Sequence, residues 1–90
     1  MQQSYKSVWD AIEDDPIRVK NLKLRSELLI RISEELRAKG LTQAEAAKVL
    51  HITQPRVSAL MQGKIEEFRL DSLVDMTHRL GLRVSIRIAA

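Results

Sequence analysis

The fold of this chain is decided by residues 41–64, which read LTQAEAAKVLHITQPRVSALMQGK. The spacing of Thr42 and Glu45 is that of a capping box, in which the threonine hydroxyl accepts a backbone N–H bond and the glutamate reaches back to the cap. A first short helix is therefore expected to begin at Thr42. Thr53 caps a second short helix, and Pro55 suits its first turn because the N–H that proline lacks would be unpaired there anyway.

The two short helices carry apolar residues at the positions that would face each other and the core. Ala47 is small enough to let the helices cross closely, and Ile52 backs the turn between them. Two helices that cross closely through a tight turn form a helix-turn-helix, here over residues 42–63, whose second helix lies in the major groove of DNA. The inward-facing residues are predicted to be Ala44, Ala47 and Leu50 on the first helix, and Val57, Leu60 and Met61 on the second.

Polar side chains occupy the outward positions at the start of the second helix. Gln54, Arg56 and Ser58 can all form hydrogen bonds. Arginine pairs with guanine O6 and N7 and glutamine with adenine N6 and N7, and each such pair contributes about 1–3 kcal/mol of discrimination between bases. The stretch therefore predicts sequence-specific binding to double-stranded DNA.

In order and spacing, residues 41–64 resemble the phage-repressor/Cro (XRE) family of helix-turn-helix domains. The shared features are a Thr-Gln pair opening each helix, the alanine at position 47, and the closing Gly63-Lys64. His51 departs from the family, which usually has a left-handed glycine in the turn. Histidine is among the residues that tolerate a positive φ, at some cost.

The resemblance implies roles for individual side chains. Gln43 would bond a phosphate and buttress Gln54, and Lys64 would lie near the DNA backbone. The three polar residues at the start of the second helix would read base edges. The candidate DNA-binding residues are Gln43, Thr53, Gln54, Pro55, Arg56, Ser58 and Lys64.

The rest of the chain predicts a mainly α fold, a compact four- to five-helix repressor-like domain. A long helix is expected over residues 19–39 and a further helix over residues 70–80. Arg25 falls within the apolar stripe of the long helix, so its stem is expected to pack while its head reaches solvent or a carboxylate. Glycines just past apolar runs predict the helix ends; they are Gly40, Gly63 and Gly81.

After the last glycine the apolar period changes from 3.6 to 2, which predicts a half-buried C-terminal β-strand. A lone strand needs a partner for its backbone. Three interpretations are open: antiparallel pairing with a second copy, addition to the sheet of a toxin (the partner of those XRE-family members that are antitoxins), or a disordered tail. Pairing with a second copy would give a homodimer that reads a palindromic operator. The predicted dimerisation residues are Leu82, Val84, Ile86 and Ile88.

The sequence therefore divides into an N-terminal acidic segment (residues 1–20), a helix-turn-helix domain (residues 21–81) and a dimerisation strand (residues 82–90). The N-terminal segment can include a short helix at residues 7–12. The acidic run at residues 13–15 is interpreted as a solvated turn or as a contact for a basic toxin surface.

Charge and composition favour an anionic partner and disfavour an enzyme. From Pro16 onward 14 Lys and Arg face 8 Asp and Glu, a balance of +6. There is no cysteine, no glycine-rich phosphate loop and no His-x-x-x-His spacing, so neither a cofactor nor a metal site is expected. Since no stretch reads as a signal peptide or a membrane span, a cytoplasmic protein is expected.

The resemblance also extends beyond the helix-turn-helix, through Asn21–Ser26 (NLKLRS), Phe68 and residues 81–84 (GLRV), to a compact XRE subgroup often described as HigA-like antitoxins. These pair with small toxins of the RelE/ParE type. The resemblance implies a transcriptional repressor that is the antitoxin of such a pair and autoregulates its operon. The alternative is a stand-alone repressor, and a short basic reading frame beside the gene would discriminate the two.

Overall fold

Four α-helices and one short 3₁₀ helix make up most of the part of the chain that the computed structural model describes, residues 15–90. The predicted class, mainly α with four to five helices, is confirmed for these residues. None of these helices combines the length and the apolar character that crossing a membrane requires. The short helix predicted at residues 7–12 lies outside the described residues. The elements are α1 (Pro16–Lys39), α2 (Gln43–Leu50), α3 (Gln54–Met61), the 3₁₀ helix (Ile65–Glu67) and α4 (Leu70–Arg79).

Helix α1 begins three residues before the start that its apolar periodicity predicts. Asp15 is its N-cap, and the Asp15 Oδ1 accepts hydrogen bonds from the backbone N–H groups of Ile17 at 3.2 Å and Arg18 at 3.3 Å. Pro16 occupies the first turn, where its missing N–H costs nothing. Asp15 and Pro16 therefore start α1, which runs through the predicted boundary between residues 20 and 21; the rest of the acidic run at residues 13–15 lies outside the described residues.

The hydrophobic core lies where the helices meet. Helix α1 packs against α4, the 3₁₀ helix and α3, and α2 packs against α3 and α4. Full burial of a large apolar side chain contributes about 1.5–3 kcal/mol. The side chains that are most completely buried are Ile32, Leu50, Val57, Leu60, Phe68, Leu73 and Met76.

The inward face of α2 differs by one residue from the prediction. Ala46 is 2% exposed and lies in the core with Leu50, whereas Ala44 is exposed to solvent. Ala47 packs against the core as predicted. Ala46 and Ala47 precede Leu50 by four and three residues, which places all three on one face of the helix. Ala44, in the first turn, falls outside that face.

Arg25 is half-buried on α1, and its head finds a carbonyl rather than solvent or a carboxylate. The Arg25 Nη1 donates a hydrogen bond to the backbone oxygen of Phe68 at 3.0 Å. Phe68 follows the 3₁₀ helix, so this bond joins α1 to the segment that leads into α4.

The C-terminal residues 82–90 form neither a helix nor a strand in the single chain described here. The Leu82 N–H donates to the Thr77 oxygen at 3.1 Å and so completes the end of α4, and the Leu82 side chain packs against the core. Farther along, Ile86 is 79% exposed and Ile88 is 92% exposed. The predicted β-strand is therefore not seen in residues 15–90.

Candidate nucleic-acid interface

Helices α2 and α3 form a packed pair joined by a tight turn. Val57 and Leu60 of α3 are 1% and 0% exposed, and they lie in the same core as Leu50 of α2. Ala47 and Ile52 pack against that core from the first helix and from the turn. This is the helix-turn-helix arrangement that the sequence predicts, with the start of α3 turned towards solvent.

His51 closes α2 in the left-handed conformation, with φ 60° and ψ 41°. It is the only non-glycine residue with a positive φ among residues 15–90. The N–H groups of His51 and of Ile52 (at 3.1 Å) both donate to the Ala47 oxygen. The histidine therefore adopts the backbone that a turn glycine would adopt. Its side chain is exposed, and its Nε2 lies 3.5 Å from the Arg79 Nη1.

Replacing His51 by valine is expected to lower the free energy of unfolding by about 1–3 kcal/mol, because a β-branched residue is strained at positive φ. His51→Gly is the matched control, and it is expected to leave the stability equal or higher, since glycine adopts this conformation without a Cβ clash. Urea denaturation followed by circular dichroism measures both. Equal stability of the valine and glycine variants would contradict the expectation.

The first turn of α3 has few free backbone donors. The Thr53 Oγ1 accepts from the Arg56 N–H at 3.4 Å, and the Thr53 carbonyl accepts from the Val57 N–H at 3.0 Å. Pro55 has no N–H to offer. Gln54 and Pro55 are exposed, so Gln54 projects an amide from the start of the helix into solvent.

Two of the predicted base-reading residues are less exposed than the sequence suggests. Arg56 is half-buried, and its guanidinium carbon lies 4.5 Å from the centroid of the Phe68 ring. Ser58 is also half-buried, and its Oγ accepts a hydrogen bond from the Gln62 Nε2 at 2.9 Å. Both side chains remain on the solvent side of α3, but each already has a partner within the protein.

The two residues assigned to the DNA backbone lie at opposite ends of the motif. Gln43 is the first residue of α2 and is exposed, and Lys64 follows the glycine that ends α3 and is also exposed. No hydrogen bond joins the side chains of Gln43 and Gln54 within residues 15–90, and the implied support of Gln54 by Gln43 stays a prediction. Gln43 and Gln54 therefore stand as separate exposed amides.

A groove of about 400 Å³ runs beside the start of α3, between the turn and α4. Two arginines line it, Arg56 from α3 and Arg79 from α4, together with His51 and the carboxylate of Asp75. Sequence reasoning missed Arg79 as a neighbour of the motif, because that proximity depends on how α4 packs. Phe68 was named only as part of the family resemblance. It is the one phenylalanine of a chain poor in aromatic residues, and that alone could have indicated a buried position in the core.

The comparison with protein families agrees with this geometry. A family model described as a helix-turn-helix domain matches residues 11–89. The chain belongs to this family. The match runs from before α1 to beyond α4. Among the curated proteins no relative of this helix-turn-helix domain was found.

Proposed function

We propose that this helix-turn-helix domain is a sequence-specific DNA-binding transcriptional regulator that represses from a palindromic operator. The observation that supports it most is the start of α3, where an exposed glutamine, a proline and an arginine stand at the open end of a rigidly packed two-helix unit. A helix in this position places its first residues at base edges in the major groove. The basic excess after Pro16 favours an anionic partner.

Each candidate residue has a proposed role in the contact with DNA. Gln54 reads a base, and Arg56 and Ser58 contribute to the same reading from the next turn of α3. Thr53 and Pro55 hold the start of that helix against the DNA. Exposed Gln43 and Lys64, the two flanking residues, bond phosphates and so fix the register without selecting a sequence.

A gel shift on DNA from the protein's own promoter tests these roles. Gln54→Ala is expected to weaken binding to the specific site by about 1–3 kcal/mol and to relax the base preference, because a bidentate contact to a base is lost. Lys64→Ala is expected to weaken binding to specific and random DNA alike, because a phosphate contact carries no sequence information. Both are measured at one fixed salt concentration.

Lys23→Ala is the matched control, since it removes the same charge as Lys64→Ala from an exposed position of α1 outside the proposed contacts. It is expected to alter the affinity by less than about twofold, within the effect of an ordinary surface substitution. Identical losses for Gln54→Ala and Lys64→Ala on specific and random DNA would contradict the assignment of reading and phosphate contacts.

The proposed repressor is a homodimer that pairs through Leu82, Val84, Ile86 and Ile88. Two observations support this. The side chains of Ile86 and Ile88 are exposed in the single chain, which is costly for large apolar groups. An apolar groove of about 320 Å³ also lies between α1, α4 and this segment. Pairing of two such segments would cover apolar surface and satisfy both backbones.

The finer assignment, an XRE-family antitoxin of the HigA-like kind, is supported by the resemblance of the sequence. The exposed isoleucines of the C-terminal segment favour a protein partner, which for an antitoxin would be a RelE/ParE-like toxin. Co-purification from the native host discriminates the two functions. Recovery of a small basic protein in a stable complex favours the antitoxin, and recovery of DNA alone favours the stand-alone repressor.

A further inference from the structure

Phe68 occupies an unusual place between the core and the candidate DNA surface. Its side chain is 0% exposed, and its backbone is extended, with φ −125° and ψ 123°, between the 3₁₀ helix and α4. Two arginines, from two different helices, contact Phe68. Arg25 of α1 holds its carbonyl at 3.0 Å, and Arg56 of α3 covers its ring at 4.5 Å.

The contact between Arg56 and the ring has the geometry of a cation–π interaction. A guanidinium within about 6 Å of a ring centroid is attracted by the negative face of the aromatic quadrupole. Stacking uses the flat face of the guanidinium, and it leaves the N–H groups at the edge free to donate. Those edge donors are the ones that pair with guanine or with a phosphate.

The contact with Arg25 fixes the position of the ring. Phe68 lies in a connecting segment, and such segments are more mobile than the helices they join. The hydrogen bond from Arg25 ties the backbone of Phe68 to the middle of α1, whose neighbouring residues Leu29 and Ile32 are in the core. The ring therefore presents its face to α3 from a fixed point.

We propose that Phe68 is a positioning residue that pre-organises Arg56 for contact with DNA. An arginine on a free surface loses rotamer freedom when it binds, and this ordering reduces affinity. An arginine already stacked on a fixed ring has lost that freedom in advance. The proposal rests on the proposed DNA-binding function and adds to it a residue that never touches the DNA.

A double-mutant cycle on cognate DNA tests the proposal with the wild type, Phe68→Leu, Arg56→Ala and the double variant. Phe68→Leu keeps an apolar side chain in the core but removes the aromatic face. It is expected to weaken binding about threefold to tenfold in the wild-type background, because Arg56 then loses its rotamer freedom only on binding. In the Arg56→Ala background the same change is expected to weaken binding less than about twofold.

An equal loss in both backgrounds overturns the proposal, since a merely structural role of Phe68 would act without Arg56. Wild-type protein that binds no DNA at all overturns the proposed function itself, which is a separate outcome. Thermal unfolding checks that each variant is folded. If Phe68→Leu does not fold, Arg25→Met takes its place in the cycle, because it frees the Phe68 carbonyl and leaves the ring intact.

NMR of the wild-type protein tests the stack without any substitution. Protons over the face of an aromatic ring are shifted upfield by its ring current. The Arg56 δ-methylene and Nε–H protons are therefore expected upfield of those of exposed arginines such as Arg31. Arg56 resonances at the position of the exposed arginines would overturn the proposal.

Discussion

Replacing Ile32 by alanine is expected to lower the free energy of unfolding by about 2–5 kcal/mol. Ile32 is 0% exposed in the middle of α1, so its removal leaves a cavity among side chains from several other helices. A domain of this size has a total stability of about 5–15 kcal/mol, so the loss is a large part of the whole. Urea denaturation monitored by circular dichroism measures it.

Ile30→Ala provides the matched control, because it makes the same chemical change two residues away on the same helix. Ile30 is 54% exposed, and its truncation is expected to change the stability by no more than about 0.5 kcal/mol. Both variants change helix propensity equally, so the difference between their free energies of unfolding reports the effect of burial alone. Similar losses for Ile30→Ala and Ile32→Ala would mean that α1 does not face the core as described.

Removing residues 83–90 is expected to convert the proposed dimer into a monomer and to reduce the affinity for the proposed palindromic operator by at least about 100-fold. The truncation keeps Leu82, which completes the end of α4, so the helices stay intact. It removes Val84, Ile86 and Ile88, three of the four residues proposed to pair. Two linked helix-turn-helix domains bind a twofold-symmetric site far more tightly than one domain does, because the second domain binds within the same complex.

Light scattering measures the mass, and a gel shift measures the affinity. Removal of Ala89 and Ala90 alone is the control, since it shortens the chain but keeps the alternating residues. That variant is expected to retain both the mass and the affinity. A truncated protein with the same mass as the full chain would show that residues 83–90 do not hold the copies together.

The helices were predictable from the sequence because their signals are local. The capping box at Thr42 is formed as predicted. The Glu45 N–H donates to the Thr42 Oγ1, and the Thr42 N–H donates to the Glu45 Oε1. Glycine at position 40 and histidine at position 51 both end helices in the left-handed conformation. Each of these features depends on residues only a few positions apart, so no knowledge of packing was needed.

The contacts that were not predicted join residues distant in sequence. The bond from Arg25 to Phe68 spans 43 residues, and the contact between Arg79 and His51 spans 28. Helical periodicity shows that Arg25 faces inward, but it does not show what it meets there. The half-burial of Arg56 has the same origin, because the ring that covers it comes from a segment beyond the motif. Residues 82–90 alternate as a strand would but form none in the single chain; a strand also needs a second backbone beside it, which alternation alone does not specify.

The sparse backbone donors at the start of α3 have a consequence for how DNA is held. Many helices attract phosphate through free N–H groups in the first turn, and that attraction is the same for every sequence. Here Pro55 lacks its N–H, and those of Arg56 and Val57 are already bonded to Thr53. In the proposed complex, DNA at this helix end would therefore meet chiefly the side chain and the N–H of Gln54. Most of the affinity at this point would then depend on the base contacted, so a mismatched site would lose most of what the helix contributes.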